Sequence, residues 1–332
     1  MAGFFPEKKS SAPELMRATR PEERPQPLSA GEGPRRVWLT GGSGFLGAQL
    51  LAEMEPRGWK IQCIQGRNPL PPGRHEVLKL RLDDSSDVIR AAREHKPDVL
   101  IHAAAMTSTS ECEALPEEAF RTNVILTRHM VDAAQAAKAQ LVYISTDLVF
   151  DGRSAPYGEM ARPNPLMVYG KTKLLGEEEV RQAAIPWAIL RCALMYGPRA
   201  RDHYSCLTWL LEALTSGRGA ELYEDEYRSP ADARWVAQGI CQAVENGAEG
   251  VFHLAGRERL SRLTFGRMVA KAWGFPEDLL RPGNLNKARL PAPRPADVSL
   301  KIDRAEEKLD YSPTSVEESL ADLAAMYPDG AL

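Results

Sequence analysis

The chain has 332 residues, and 42 Lys and Arg against 45 Asp and Glu leave a formal net charge of −3. That near-balance argues against nucleic acid as the main partner, since phosphate binding needs a basic surplus on at least one face. With 43% hydrophobic and 26% charged residues the composition is globular, which excludes disorder throughout, and no apolar run reaches the roughly 18–20 residues that cross a bilayer.

Residues 1–35 are rich in Pro, Glu, Ser and Arg and read as a mobile extension, because Pro6, Pro13, Pro21, Pro25, Pro27 and Pro34 would break a helix or a central strand. Met1-Ala2-Gly3-Phe4-Phe5 runs straight into Pro6, Glu7, Lys8 and Lys9, which is no secretory signal. Glu14, Glu22 and Glu23 are unlike a mitochondrial transit peptide, so a cytoplasmic protein without membrane contact is expected. Order begins at Arg36. Val37-Trp38-Leu39 reads as a strand, Thr40 to Gly47 as a glycine-rich loop, and 48–54 as a helix. Strands are expected over 60–65 and 77–82, a helix over 86–95, a strand over 99–102, and a long helix over 117–138. A strand over 141–145, a helix over 168–184 and a strand over 187–191 follow. Short apolar strands alternating with helices imply βαβ units and a parallel sheet buried on both faces.

After Pro198 the rhythm changes to helices with short strands such as 251–254, and Ser315-Val316-Glu317-Glu318 is a capping box that opens the last helix. The fold class expected is α/β: a Rossmann-type doubly wound parallel sheet over 36–198, with a smaller C-terminal α/β substrate lobe made mainly of 199–332. The five cysteines, Cys63, Cys112, Cys192, Cys206 and Cys241, are scattered without a C-x-x-C pair, so neither a disulfide framework nor a zinc site is expected, and no other metal.

Gly41, Gly44 and Gly47 fit G-x-x-G-x-x-G, and Gly42, Gly44 and Gly47 fit G-x-G-x-x-G. The loop leaves the first strand and opens the first helix, the context in which such glycines let a pyrophosphate approach the helix N-terminus. Phe45 and Leu46 belong to the same binding loop. The second strand ends Cys63-Ile64-Gln65-Gly66-Arg67-Asn68. No acid stands there to bind a ribose 2′-hydroxyl, whereas Arg67 suits a 2′-phosphate, so NADP(H) is the preferred cofactor and NAD(H) the alternative.

Tyr169-Gly170-Lys171-Thr172-Lys173 contains Y-x-x-x-K, which puts Tyr169 and Lys173 on one helix face. A Lys173 ammonium, with an oxidised nicotinamide nearby, would bring the tyrosine pKa closer to neutrality and suit Tyr169 to general acid–base work. The strand ending Ser145-Thr146-Asp147 would supply a hydroxyl, from Thr146 or Ser145, to hold the reacting oxygen.

With these residues in view, the sequence resembles an extended short-chain dehydrogenase/reductase of the dTDP-4-dehydrorhamnose reductase-like branch. The resemblance is carried by Thr40-Gly41-Gly42-Ser43-Gly44-Phe45-Leu46-Gly47, by Ile144-Ser145-Thr146-Asp147-Leu148-Val149-Phe150-Asp151-Gly152, and by Pro165 to Lys173. Arg191 through Tyr196-Gly197 and Arg228-Ser229-Pro230 add to it. It implies Thr146, Tyr169 and Lys173 as the catalytic set, Asp83 near the adenine, Ala103, Ala104 and Ala105 along the cofactor, and Asn123 in the supporting network. It also implies a nucleotide-sugar substrate bound by the C-terminal lobe, and a homodimer through 117–138 and 168–184, where Val124, Leu126 and Met130 offer apolar positions.

The sequence departs from that branch where the sugar would lie. Met106-Thr107 and Thr109-Ser110 replace a typical Tyr-Thr and Val-Asp, and Cys192-Ala193-Leu194-Met195 lacks a typical tryptophan. Met106, Thr107, Leu194 and Arg228 are the candidate substrate contacts. The reaction expected is NADP(H)-dependent reduction of a nucleotide-activated 4-keto deoxysugar. The alternatives are an epimerase or dehydratase of the same fold, for which Asp147 offers an acid, and a non-catalytic regulatory subunit resembling the methionine adenosyltransferase β-subunit. His102 reads as a satisfied core histidine, Trp209 as a helix-packing residue, and 221–226 as a solvated acidic loop. Asp202-His203, with Tyr204 beside it, makes no metal site.

Overall fold

The computed structural model describes residues 34–66, 68–198 and 205–330. Arg67, Asp202, His203, Tyr204 and nearly all of the expected N-terminal extension lie outside the described residues. Seven strands form one sheet in the order β11-β6-β5-β4-β1-β2-β3. They are β1 Arg36–Thr40, β2 Lys60–Ile64, β3 Glu76–Leu78, β4 Val99–His102, β5 Gln140–Thr146, β6 Trp187–Cys192 and β11 Gly250–Leu254. Every neighbouring pair is parallel.

The period of two along each strand divides the core. Val37, Leu39, Ile101, Val142 and Ile144 join the cluster on one face, and Trp38, Leu100, Leu141 and Tyr143 join the cluster on the other. The first face is covered by α1 Phe45–Met54 and α8 Ala233–Glu245, the second by α2 Ser85–His95 and α5 Leu126–Ala137. Both α8 and β11 lie beyond residue 199. The chain thus enters the lobe and returns to the large sheet, so 199–332 is not one continuous lobe.

The lobe has its own core, built from α7 Cys206–Thr215, α9 Arg262–Trp273 and α11 Val316–Met326, with Leu207, Leu210, Leu222, Phe265, Leu320 and Leu323 buried together. The capping box at Ser315 and Glu318 opens α11 as its sequence implies.

Several expected boundaries shift. The strand over 77–82 shortens to β3 at the sheet edge, and the helix over 168–184 ends as α6 Val168–Arg181. The long helix over 117–138 becomes α4 Pro116–Phe120, a π-helical turn Arg121–Ile125, and α5. Val124 and Met130 are buried in the protein's own interior, so they offer no outward face for a dimer. Trp209 is 47% exposed on α7 rather than packed between helices, because Leu210 and Leu211 take the inward face.

Candidate active site

The strand order reverses between β1 and β4: the chain winds outward on one side through β2 and β3, then on the other through β4, β5, β6 and β11. Ligands of doubly wound sheets bind outside the strand C-termini at such a switch point. A cleft of about 1820 Å³ opens there. Its wall combines Gly41 and Phe45 after β1, Ala103 after β4, Thr146 at the end of β5, and Glu226, Arg262 and Arg294 from the lobe side.

The loop after β1 folds tightly onto its neighbours. Gly41 has φ +77, and a Cβ there would lie 2.7 Å from the Ala103 carbonyl carbon. A Cβ on Gly47 would lie 2.1 Å from the Gly41 carbonyl oxygen, so α1 can approach the loop only without one. The helix begins at Gly44 with no side-chain cap and no acid in its first turn. Its free N–H groups and dipole therefore face the cleft, a fit for phosphate oxygens.

Tyr169, Lys173 and Thr146 meet on the cleft wall. The Thr146 hydroxyl donates to Asp147 Oδ1 at 3.1 Å and accepts from the Leu148 N–H at 3.2 Å. Burial, joined by the charge of Asp147, pushes the Tyr169 phenol above its ordinary value, against the opposing pull of Thr146. Burial is the larger cause and the Asp147 carboxylate adds to it, while Lys173 Nζ lies 4.0 Å from the Tyr143 ring centroid. Burial pulls Lys173 down to about 7, against the pull of Glu177. Asp147 is 4% exposed. Its Oδ2 has no hydrogen-bond partner among the described residues, and desolvation pushes its carboxyl up to about 6.

Behind these groups lies a fixed polar frame. Glu177, fully buried one helical turn beyond Lys173, takes Arg191 in two hydrogen bonds of 2.9 and 2.8 Å and the Ser145 hydroxyl at 2.7 Å. This ties α6 to β5 and β6. His102 is satisfied on both nitrogens, by Thr40 at 2.7 Å and Thr127 at 3.1 Å. Thr127 gives its proton to the Asn123 carbonyl, so His102 Nε2–H donates to it and Nδ1 accepts from Thr40. That neutral tautomer agrees with a pKa pushed down to about 3 by burial. Asn123, on the π-helical turn, accepts from the Met106 N–H at 2.8 Å and donates to the Met106 carbonyl at 3.1 Å.

A family model described as the RmlD substrate binding domain matches residues 35–328. The chain belongs to that family. It is an extended short-chain dehydrogenase/reductase of the dTDP-4-dehydrorhamnose reductase-like branch. A curated relative, methionine adenosyltransferase 2 subunit beta of Xenopus laevis, is 34% identical over 254 residues, 75% of each chain. The probable low-salt glycan biosynthesis reductase Agl14 of Haloferax volcanii is 27% identical over 88% of this chain and 98% of its own. The dTDP-4-dehydrorhamnose reductase of Bacillus anthracis, solved in complex with NADP, has the same fold: TM-score 0.78, 24% identity, 89% of this chain and 100% of that one.

In this RmlD-family chain the cleft is lined by Gly41, Gly44, Phe45, Leu46, Gly47, Ala103, Ala104 and Ala105, and also by Met106, Thr107, Leu194 and Arg228. Asp83 stands exposed at the rim, 3.8 Å from Arg81. Arg228 is 5% exposed and largely committed: it pairs with Glu226 at 2.7 Å and donates to the Tyr227 and Pro295 carbonyls. Glu226 is 3% exposed, which corrects its reading as part of a solvated acidic loop; the pairing with Arg228 two residues on draws it inward. The alternation Glu226-x-Arg228 was the signal for that pair. Arg262 and Arg294 had none, since only the lobe's packing brings them to the cleft.

Proposed function

We propose that the chain is an NADP(H)-dependent reductase of a nucleotide-activated keto sugar, with Tyr169, Lys173 and Thr146 as its catalytic set. The observation that carries this is the meeting of Tyr169, Lys173 and Thr146 on the wall of the cleft that also holds the uncapped start of α1. The glycine loop, with Phe45 and Leu46, would hold the cofactor pyrophosphate, and Ala103, Ala104 and Ala105 would border its length. Arg67, by its place after β2 in the sequence, would take a 2′-phosphate, and NAD(H) would be the weaker ligand. The bound nicotinamide supplies the hydride.

The protein's own residues handle the proton and the geometry. Tyr169, kept protonated by burial and by Asp147, donates to the carbonyl oxygen as that oxygen gains charge. Thr146 turns its hydroxyl from Asp147 to the same oxygen and orients it. Lys173 holds the cofactor ribose. Met106, Thr107 and Leu194 border the sugar, and Met106 is held there by Asn123.

The test is reduction of a panel of nucleotide 4-keto sugars, followed by NADPH absorbance, with mass spectrometry of the product. Tyr169→Phe should fold and bind NADPH while turnover falls by about 10²–10⁴. A variant as fast as wild type refutes the mechanism. A product that has lost water or inverted a carbon would instead support a dehydratase or epimerase, for which Asp147 is the acid at hand. The relative named as a methionine adenosyltransferase subunit favours a second reading, a non-catalytic NADP-binding subunit. That reading expects cofactor binding without turnover of any panel member, and an unchanged partner interaction in Tyr169→Phe.

A further inference from the structure

Tyr143 lies at the middle of β5, fully buried, and the catalytic set makes no use of it. Lys173 Nζ stands 4.0 Å from the centroid of its ring. Lys173 itself is 2% exposed, and among the described residues no carboxylate pairs with it. Glu177, the nearest acid on the same helix, is committed to Arg191, Arg181 and Ser145. The ring is held from three directions. Its hydroxyl donates to the Lys173 carbonyl at 3.4 Å, the His102 ring lies 5.7 Å away, and Gly176 opens the slot that admits it. A Cβ on Gly176 would lie 2.2 Å from the Tyr143 hydroxyl oxygen.

An aromatic face attracts a cation through its quadrupole, and the attraction grows when water is excluded. We propose that Tyr143 is a positioning residue for Lys173, its ring face carrying the buried ammonium as a cation–π support where no carboxylate is paired with it. The inference rests on the reading that Lys173 serves the cofactor as an ammonium. The groups acting on Lys173 are Glu177 on its own helix, the Tyr143 ring on β5, Cys192 on β6 and neutral His102 on β4. Desolvation alone drives the lysine toward its neutral form. The ring opposes that drive without adding a second ion.

The decisive experiment uses the full chain without cofactor. Lysine is labelled with ¹³C at Cε, the Lys173 signal is assigned by its loss in Lys173→Met, and its titration is followed in wild type, Tyr143→Phe and Tyr143→Leu. Tyr143→Phe keeps the ring and should titrate with wild type. Tyr143→Leu should titrate about one pH unit lower, a tenfold smaller ratio of ammonium to amine at a given pH. Equal midpoints in wild type and Tyr143→Leu overturn the proposal, as does a Tyr143→Phe midpoint that follows the leucine variant. Should Tyr143→Leu fail to fold by circular dichroism, phenylalanines of increasing fluorination at this position drain the ring face at nearly constant volume. The midpoint should then step down with each fluorine, and a flat series overturns the proposal. NADPH affinity is measured separately. A wild-type chain that binds no NADPH refutes the cofactor reading, while the shift in midpoint still decides the role of Tyr143.

Discussion

Asp147 is the residue at which stability and chemistry conflict. Its Oδ2 is buried without a protein partner, and desolvation raises its pKa from 3.8 to about 6. A carboxyl raised in the folded state favours folding in its neutral form. That contribution is complete below 3.8 and is lost as pH rises through about 6. Near neutral pH the ionised group therefore costs the fold at most about 3 kcal/mol. Asp147→Asn keeps the acceptor for the Thr146 hydroxyl and removes the charge. It should raise the melting temperature by a few degrees at about pH 7.5 and leave it unchanged near pH 3.5, while turnover falls. Equal gains at both pH values in a thermal-shift assay would refute the assignment of the cost to the buried charge.

At the scale of single elements, the start of α1 and the π-helical turn both line the cleft. The first depends on the absence of one atom. A Cβ on Gly47 cannot fit 2.1 Å from the Gly41 oxygen, nor 2.7 Å from the Gly42 Cα. Gly47→Ala should displace α1 from the loop and weaken NADPH binding by at least about tenfold, the worth of roughly 1.4 kcal/mol in lost phosphate contacts. Gly158→Ala, where a Cβ meets nothing within 4 Å, is the matched control and should bind as wild type. Isothermal titration of both variants checks this, and equal affinities would remove the loop from cofactor binding. The π-helical turn could not be read from periodicity. Apolar spacing over 117–138 suits an uninterrupted helix, and the wider turn at Arg121–Ile125 coincides with Asn123 clamping Met106 on a different segment.

The whole molecule couples its buried histidines to acid stability. His102 and His253 are both held neutral, each pulled down to about 3 by desolvation. Between about 3 and 6.5 the unfolded chain binds protons there that the folded chain does not, so stability rises with pH across that window. Asp147 works in the opposite sense between 3.8 and about 6, as does Glu159, whose carboxyl burial also raises, whereas Glu177, Asp98 and Asp297, held below their ordinary values, work with the histidines. The melting temperature of the full chain should therefore fall as pH drops from about 6.5 to 4.5, and His102→Gln, which no longer titrates, should show a shallower fall. A melting temperature flat across that range contradicts the account.

The local pattern of the chain carried the fold class and much of the site. Apolar strands between helices specify a parallel sheet, because only strands covered on both faces can be apolar throughout. Gly41, Gly44 and Gly47, and the four-residue spacing of Tyr169 and Lys173, are legible because each motif lies within a few consecutive residues of the chain. Other features required distant segments to meet. The return of β11 beside β6 and the arrival of Arg262 and Arg294 at the cleft involve partners far apart in the chain, for which no local periodicity exists. The electrostatics belong to the same class. Burial, which sets the direction of every large shift in the cleft, exists only once the sheet and the lobe have closed around it.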